Sequence, residues 1–400
     1  MTDNERLLDF IEQGKTYAEI ANIFNCTERT ITRRVARIKN IKDEDIANDI
    51  TKAKEKQKYN DIFRLERKSF RDGARVENSV LEYSKELVSV FKNYKLPAFV
   101  ISKKTVVNDK SSGVIHITDA HLNELVDLSI NKYDFKIASK RFKKLANEAK
   151  IEFKARGIKN VLIAMTGDLM NSDRRIEELL AQATNRSKAT FLSVSILEQF
   201  ILDLAQDFNI SVASVIGNES RVGKDVSWDE CLASDNYDYT IFNILKLIFR
   251  KSNVIFFDGH SVEQMVEVCG QNILLIHGNQ LQSNAMEQSI QKIKGKYTSR
   301  NIQIDFVLSG HLHSCRIGET FARGGSVVGA NAYSDIGLQL ESRASQNLHI
   351  FYANGNRNSI KIDLQNVNDI EGYNVEKELE AYNAKSLVKT KKKIIVNRII

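Results

Sequence analysis

Five short apolar runs in the middle of this chain each end in a residue that can bind a metal, and this pattern limits what the sequence can fold into. Val114-Ile115-His116-Ile117-Thr118 leads into Asp119-Ala120-His121. Val161 to Met165 leads into Gly167-Asp168, Val212 to Ile216 into Gly217-Asn218, Ile273 to Ile276 into His277-Gly278, and Phe306 to Leu308 into Gly310-His311-Leu312-His313. Runs this short and rich in β-branched residues read as buried strands. Oxygen and imidazole donors therefore arrive at five strand ends, where open α/β sheets place their sites. One such fragment arises easily by chance. Five in order, using four of the seven histidines, point to a metal site. The candidate ligands are Asp119, His121, Asp168, Asn218, His277, His311 and His313. A set of O and N donors without a thiolate favours two divalent ions such as Mn, Fe, Zn or Mg, with Mn first; a structural zinc more often recruits Cys.

The order D-x-H, G-D, G-N, H-G, G-H-x-H resembles that of the calcineurin-like metallophosphoesterase superfamily, over roughly residues 113–365. The resemblance implies an α/β fold, a two-sheet sandwich flanked by helices. It places one metal on Asp119, His121 and His313, another on Asn218, His277 and His311, and makes Asp168 the bridge. Two cations about 3.5 to 4 Å apart then sharpen a bridging water and absorb charge on the attacked phosphoryl group.

Two positions depart from the family pattern. The Asn is usually followed by a His that stabilises the transition state or protonates the leaving oxygen, whereas here the run is Gly217-Asn218-Glu219-Ser220-Arg221. Glu219 could act as general acid if desolvation raised its pKa, and Arg221 could supply the stabilising positive charge. Equally, Glu219 could bind Arg221 or cap a helix. The candidate catalytic residues are thus Glu219, Arg221 and, from the ligand set, His121. Where a second Asp usually follows the bridging one, Asn171 keeps the hydrogen bonding and loses the charge.

Residues 1–40 read as an all-α helix-turn-helix domain. Leu7, Leu8, Phe10 and Ile11 share a face up to Gly14; Thr16 caps a short helix with Ile20, Ala21 and Phe24 inward. After the Asn25-Cys26 turn, Thr27 caps a third helix buried along Ile31, Val35 and Ile38. Its other face carries Arg29, Thr30, Thr32, Arg33, Arg34 and Arg37. The resemblance to DNA-binding proteins gives Arg29, Thr30 and Arg33 to base edges and Arg34 and Arg37 to phosphates; a solvated basic face is the alternative. Residues 41–97 read as a helical spacer that could form a homodimer seam, 98–370 as the metallophosphoesterase domain and 371–400 as a basic C-terminal tail. Within the body, a helix is expected from about Arg175 to Phe208 and a strand over Ser326–Ala330. The stretches Asn171–Thr190 (with Arg174, Arg175, Arg186 and Lys188) and Asn279–Asn301 (with Lys292, Lys294, Lys296 and Arg300) read as loops that could hold a DNA backbone.

Charge is distributed to suit such a partner. Residues 1–110 hold 23 Lys/Arg against 18 Asp/Glu, and residues 385–400 hold six basic and no acidic side chains, although the whole chain is only +7. Cys26, Cys231, Cys269 and Cys315 have no ligand spacing and fit a reducing compartment. No apolar run approaches the roughly 20 residues of a membrane span, so the expected location is the cytoplasm of a bacterium or phage-infected cell. The chain resembles phage and prophage metallophosphoesterases and, more distantly, double-strand-break repair nucleases. That implies a two-metal phosphodiesterase acting on DNA, as a nuclease or end-processing enzyme. The alternatives are a phosphoesterase for small nucleotides or phosphomonoesters, and a DNA-binding regulator or adaptor with a non-catalytic metal site.

Overall fold

A computed structural model describes residues 2–38, 110–223, 225–331, 334 and 342–387, with scattered positions between 52 and 67. The chain divides into two units, Met1–Leu87 and Val88–Ile400.

The first unit opens with α1 (Asp3–Glu12), α2 (Tyr17–Ile23) and α3 (28–38). Thr2 with Glu5 and Thr16 with Glu19 form reciprocal capping boxes at the first two, each worth about 1 kcal/mol. Gly14 (φ 79°) and Asn25 (φ 48°) take the left-handed conformation that turns the chain after α1 and α2. Leu7, Ile20, Ala21, Ile31 and Val35 form the core, flanked by Phe10, Ile11, Tyr17, Phe24, Cys26 and Ile38. Arg29, Thr30, Arg33, Arg34 and Arg37 are exposed. The described positions between 52 and 67 are helical. The rest of the spacer with its expected dimer seam, residues 98–109, and residues 388–400 of the tail lie outside the described residues.

In chain order the second unit runs β1 (Ser111–Ile117), β2 (Val126–Asp127), β3 (Lys132–Tyr133), α4 (Phe135–Ala155), β4 (Asn160–Met165), α5 (Ile176–Leu180) and α6 (Arg186–Ala205). It continues with β5 (Asn209–Ser214), α7 (Glu230–Ala233), α8 (Tyr237–Ile248), β6 (Ile255–Phe256), β7 (Glu263–Val268), β8 (Gln271–Ile276) and α9 (Met286–Thr298). β9 (Phe306–Ser309), β10 (Arg316–Ile317), β11 (Phe321–Arg323), β12 (Ser345–Tyr352), β13 (Arg357–Asp363) and α10 (Glu376–Ala381) complete it.

Two large sheets form, ordered β13-β12-β1-β4-β5-β6 and β10-β11-β9-β8-β7, and β2 pairs with β3 in a separate two-stranded sheet. The β1, β4, β5 and β6 strands are parallel, as are β8, β9 and β11. Alternation along the strands sends Val114, Leu162, Ala164 and Ala213 of the first sheet against Ile273, Leu275, Phe306, Leu308 and Ala322 of the second. Burying each large apolar side chain there contributes roughly 1.5–3 kcal/mol. On the outer face of the second sheet, Leu274, Ile276, Val307 and Phe321 pack with Met286, Ile290 and Tyr297 of α9. On the outer side of the first, α6 and α8 lie against β5 and α4 against α6. This is the helix-flanked two-sheet sandwich that the sequence resemblance implies.

Four expectations need correction. The helix expected from Arg175 to Phe208 is two helices, α5 and α6, because Ala181 and Ala183 leave the helix to bond Leu125 and Asn123 through their backbones. The loop expected over Asn279–Asn301 is largely α9, whose apolar stripe covers the second sheet. The strand expected over Ser326–Ala330 is β11, which ends before Gly324 instead. Buried side chains satisfy the 326–330 backbone in place of a sheet ladder: Arg141 donates to the carbonyls of Val327 and Val328, and Asn131 to those of Val328 and Ala330. Finally, the tail expected from residue 371 begins as part of the body. Val375 and Leu379 are buried, Tyr382 stacks on Phe191, and Tyr373 donates to Asp203.

Candidate metal centre

The five predicted strand ends come together at one edge of the two sheets. Nitrogen and oxygen atoms of Asp119, His121 and His313 lie within 4.8 Å of one another, and so do those of Asp168, His277 and His311. The Nε2 atoms of His121 and His313 are 3.0 Å apart although 192 residues separate them in sequence. His277 Nε2 stands 3.0 Å from Asp168 Oδ2 and 2.9 Å from Asn218 Oδ1. The two groups adjoin: the His311 amide donates to both oxygens of Asp119, and the His121 amide to the carbonyl of Asp168.

The backbone is strained to achieve this. Asp119, His121, Asp168, His311 and His313 all have φ between 42° and 74°, a region that costs a non-glycine residue about 1–3 kcal/mol and that clusters at functional sites. Glycines provide the room. A Cβ on Gly217 would collide with the Asp168 carboxylate, and one on Gly310 with Thr118 and Asp119.

Three supports were not legible as site residues in the sequence. Asp238, in the first turn of α8, is fully buried and accepts the amides of Asp168 (2.8 Å), Leu169 (3.0 Å) and Gly217 (2.8 Å). Asn236, the cap of that helix, donates to the Gly217 carbonyl. Gln346 of β12 spans the Thr118 backbone, accepting from its amide and donating to its carbonyl. The Asn236-x-Asp238 start of an apolar helix was the available signal, and it reads as ordinary capping.

Electrostatics divides the ligands. Burial pushes Asp119 up to about 6, against the pull of His277. Burial would raise Asp168 too, but the adjacent His277 holds it well below the carboxylate range. Reciprocally, burial would lower His277, yet Asp168 takes it up to about 10. His311 falls to about 4 and His313 to about 3, through burial first and the neighbouring His277 and His121 next. Those two imidazoles are neutral at physiological pH and present lone pairs. His121 Nδ1 is buried with no partner. Inward-facing oxygen and nitrogen donors, with the Nε2 atoms of His121 and His313 3.0 Å apart, form a set that suits divalent cations, so the residues fit the ions that the sequence implied.

The candidate catalytic residues resolve differently. Glu219 pairs with Arg174 (2.8 Å), not with Arg221, and accepts from Asn218 Nδ2 (2.5 Å). Its amide donates to Asp168 Oδ1 at 2.6 Å. Arg221 donates to the Asn218 carbonyl. Of the positive charges expected to meet DNA from residues 171–190, Arg186 is buried on Asp173 and over the Tyr237 ring and Arg174 pairs with Glu219, whereas Arg175 pairs with Glu178 at the surface. Cys315 points its thiol to Asn347 (3.1 Å). His116 and His349 are buried on Thr166 and Ser359, as structural residues should be.

No protein-family model and no curated protein matches the chain. Among solved structures it is similar to Vps29 complexed with zinc from Entamoeba histolytica, at 13% identity over 63% of this chain and 99% of that one, TM-score 0.29. It is also similar to a predicted phosphoesterase from Streptococcus pneumoniae (12%, 63% and 98%, TM-score 0.26). A third is the calcineurin-like phosphoesterase YfkN from Bacillus subtilis (7%, 68% and 96%, TM-score 0.32). At these identities and TM-scores the likenesses carry no argument, and the chemistry of the site has to be read from its own residues. No helix among the described residues is long and apolar enough to cross a membrane.

Proposed function

We propose that this chain is a metal-dependent phosphodiesterase of the calcineurin-like type, working with two divalent ions, Mn foremost, on DNA. The observation that carries this reading is the pair of adjoining donor groups, Asp119-His121-His313 and Asp168-His277-His311, with Asn218 beside the second. Asp119, His121 and His313 would hold one ion, Asn218, His277 and His311 the other, and Asp168 would serve both. Bound there, such a pair supplies an activated water near neutral pH and takes up charge on the phosphoryl oxygens.

The chain's own groups do the rest. The Thr166 carbonyl lies 2.8 Å from His277 Nδ1 and fixes the ring so that Nε2 faces Asp168 and Asn218. Arg221, beside Asn218, brings the positive charge that the usual His would bring to the developing transition state. Glu219, held by Arg174, clamps the Asn218 loop. DNA as substrate is supported by α3, which exposes four arginines with Glu28 as its one acid, behind a short helix and a tight turn. In this reading Arg29, Thr30 and Arg33 meet bases and Arg34 and Arg37 meet phosphates.

The test is hydrolysis of bis(4-nitrophenyl) phosphate and of linear duplex DNA with Mn2+, comparing the natural chain with Asp168→Ala. Loss of both activities in the variant is expected. Equal turnover would overturn the reading.

A further inference from the structure

A cavity of about 220 Å³ opens beside the metal centre, and Asn218 lines both. Its wall is the segment between Asn218 and α8. Arg221 stands on that wall together with Asp225, Trp228 and Asp235, and Asn279 comes from the loop after His277. Val226 and Leu232 add apolar surface. Trp228 is the sole tryptophan of the chain and remains 53% exposed, although a large aromatic ring is ordinarily covered in the core.

We propose that this cavity is a nucleobase subsite, in which Trp228 stacks on one base of the nucleotide whose phosphate is held at the metal centre. The proposal rests on the phosphodiesterase reading and names the part of the substrate that the reading leaves open. Three features select the occupant. An exposed indole calls for a flat partner, and base–aromatic stacking tolerates any base. The exposed carboxylates of Asp225 and Asp235 repel a second phosphate but accept hydrogen bonds from amino groups on a base edge. A purely aliphatic occupant would leave those carboxylates and the Asn279 amide unmatched. Arg221, which lines the cavity beside Asn218 and donates to its carbonyl, makes that end of the wall cationic.

The single tryptophan makes a direct test. The full-length protein with Mn2+ is titrated with dAMP and, separately, with 2-deoxyribose 5-phosphate, while Trp fluorescence is followed. Saturable quenching by dAMP and none by the sugar phosphate is expected. Calorimetry should then show dAMP affinity falling roughly 10-fold or more in Trp228→Ala, with Trp228→Phe staying within a few-fold of the natural chain. Equal fluorescence responses to the two ligands, or undiminished dAMP affinity in Trp228→Ala, overturns the proposal. A chain that hydrolyses the nitrophenyl diester yet gives either of those results loses the base subsite and keeps the phosphodiesterase reading. Base-dependent quenching in a chain that cleaves no diester supports the subsite and removes the activity.

Discussion

Asp238 Oδ2 accepts the backbone amides of Asp168 and Gly217, both at 2.8 Å. One buried carboxylate therefore ties together two loops that begin on different strands and deliver Asp168 and Asn218. The strained φ of Asp168 persists because this brace over-determines it.

Replacing Asp238 should consequently disturb the metal centre without touching a ligand. Asp238→Ala leaves three buried amides unpaired, and each unsatisfied donor costs about 1–3 kcal/mol. Urea unfolding is expected to show a loss of at least about 3 kcal/mol. Chelator competition is expected to show metal affinity reduced about 10- to 100-fold, as for other supports of ligands. Unchanged affinity would mean that the loops hold their geometry without the brace.

Metal binding should itself stabilise the body. An ion that binds only the folded chain adds about 2.7 kcal/mol at 100 times its Kd, so Mn2+ should raise the thermal midpoint of the natural protein. Asp168→Ala and His313→Ala should each lose much of that rise, whereas a variant at the exposed Lys292 should keep it. A rise equal in all of them would place the ion elsewhere.

Arg141 offers a test far from the chemistry. The residue is 1% exposed, and its guanidinium donates to the Val327 and Val328 carbonyls and to Asn131 Oδ1. Arg141→Leu leaves the Val327 carbonyl without its donor and takes one of two donors from the Val328 carbonyl and from Asn131 Oδ1, and a buried acceptor left unsatisfied costs about 1–3 kcal/mol. The 326–330 loop bonds to the Asp119 carbonyl through Ser326 Oγ and the Val327 amide. Metal affinity should fall along with the denaturation midpoint.

Acid should destabilise the sandwich through two histidines. His349 Nδ1 meets Ser359, His116 Nε2 meets Thr166, and the second nitrogen of each is buried without a partner. Burial pushes His349 down to about 3 and His116 well below its ordinary value. Unfolded, both take a proton near pH 6.5. Between about pH 6.5 and 3 the unfolded chain thus binds a proton that folded His349 refuses, and His116 acts in the same direction below about pH 6.5, so stability falls as the pH falls, by up to about 1.4 kcal/mol per unit for each. From pH 7 to 5, urea unfolding should show His349→Gln losing roughly 2 kcal/mol less than the natural chain. Equal losses would mean that His349 titrates normally in the fold.

How much of this was legible depended on the range over which each signal acts. The strand ends and the seven candidate ligands that gather there could be read because a run such as Ile273 to Ile276 followed by His277 carries strand and donor together. The cap at Thr16 is equally local. Asp238, Gln346 and Arg141 were invisible because their partners are backbone groups 70, 228 and 186 residues away, and no local pattern marks a side chain that serves distant amides and carbonyls. Ser326–Ala330 misled for the same reason: its apolar residues have strand character, but Arg141 and Asn131 take the carbonyls that a neighbouring strand would have used. The role of Glu219 stayed open between general acid, a bond to Arg221 and a helix cap because its ion-pair partner, Arg174, is 45 residues away.

The α3 arginines can be tested by their salt dependence. Each phosphate neutralised on duplex DNA contributes about 0.9 to the slope of log K against log salt. If Arg29, Arg33, Arg34 and Arg37 all meet the duplex, replacing the four with Ala should flatten that slope by roughly 2 to 4. The smaller figure applies if only Arg34 and Arg37 meet phosphates and the other two meet bases. Arg33→Ala alone should weaken binding to a preferred sequence by about 1–3 kcal/mol while barely changing binding to unrelated duplex. All four side chains are exposed and away from the Leu7–Ile31 cluster, so the helical unit should keep its fold, which circular dichroism would check. A slope that is the same with and without them would make α3 a solvated face and leave DNA recognition to other parts of the chain.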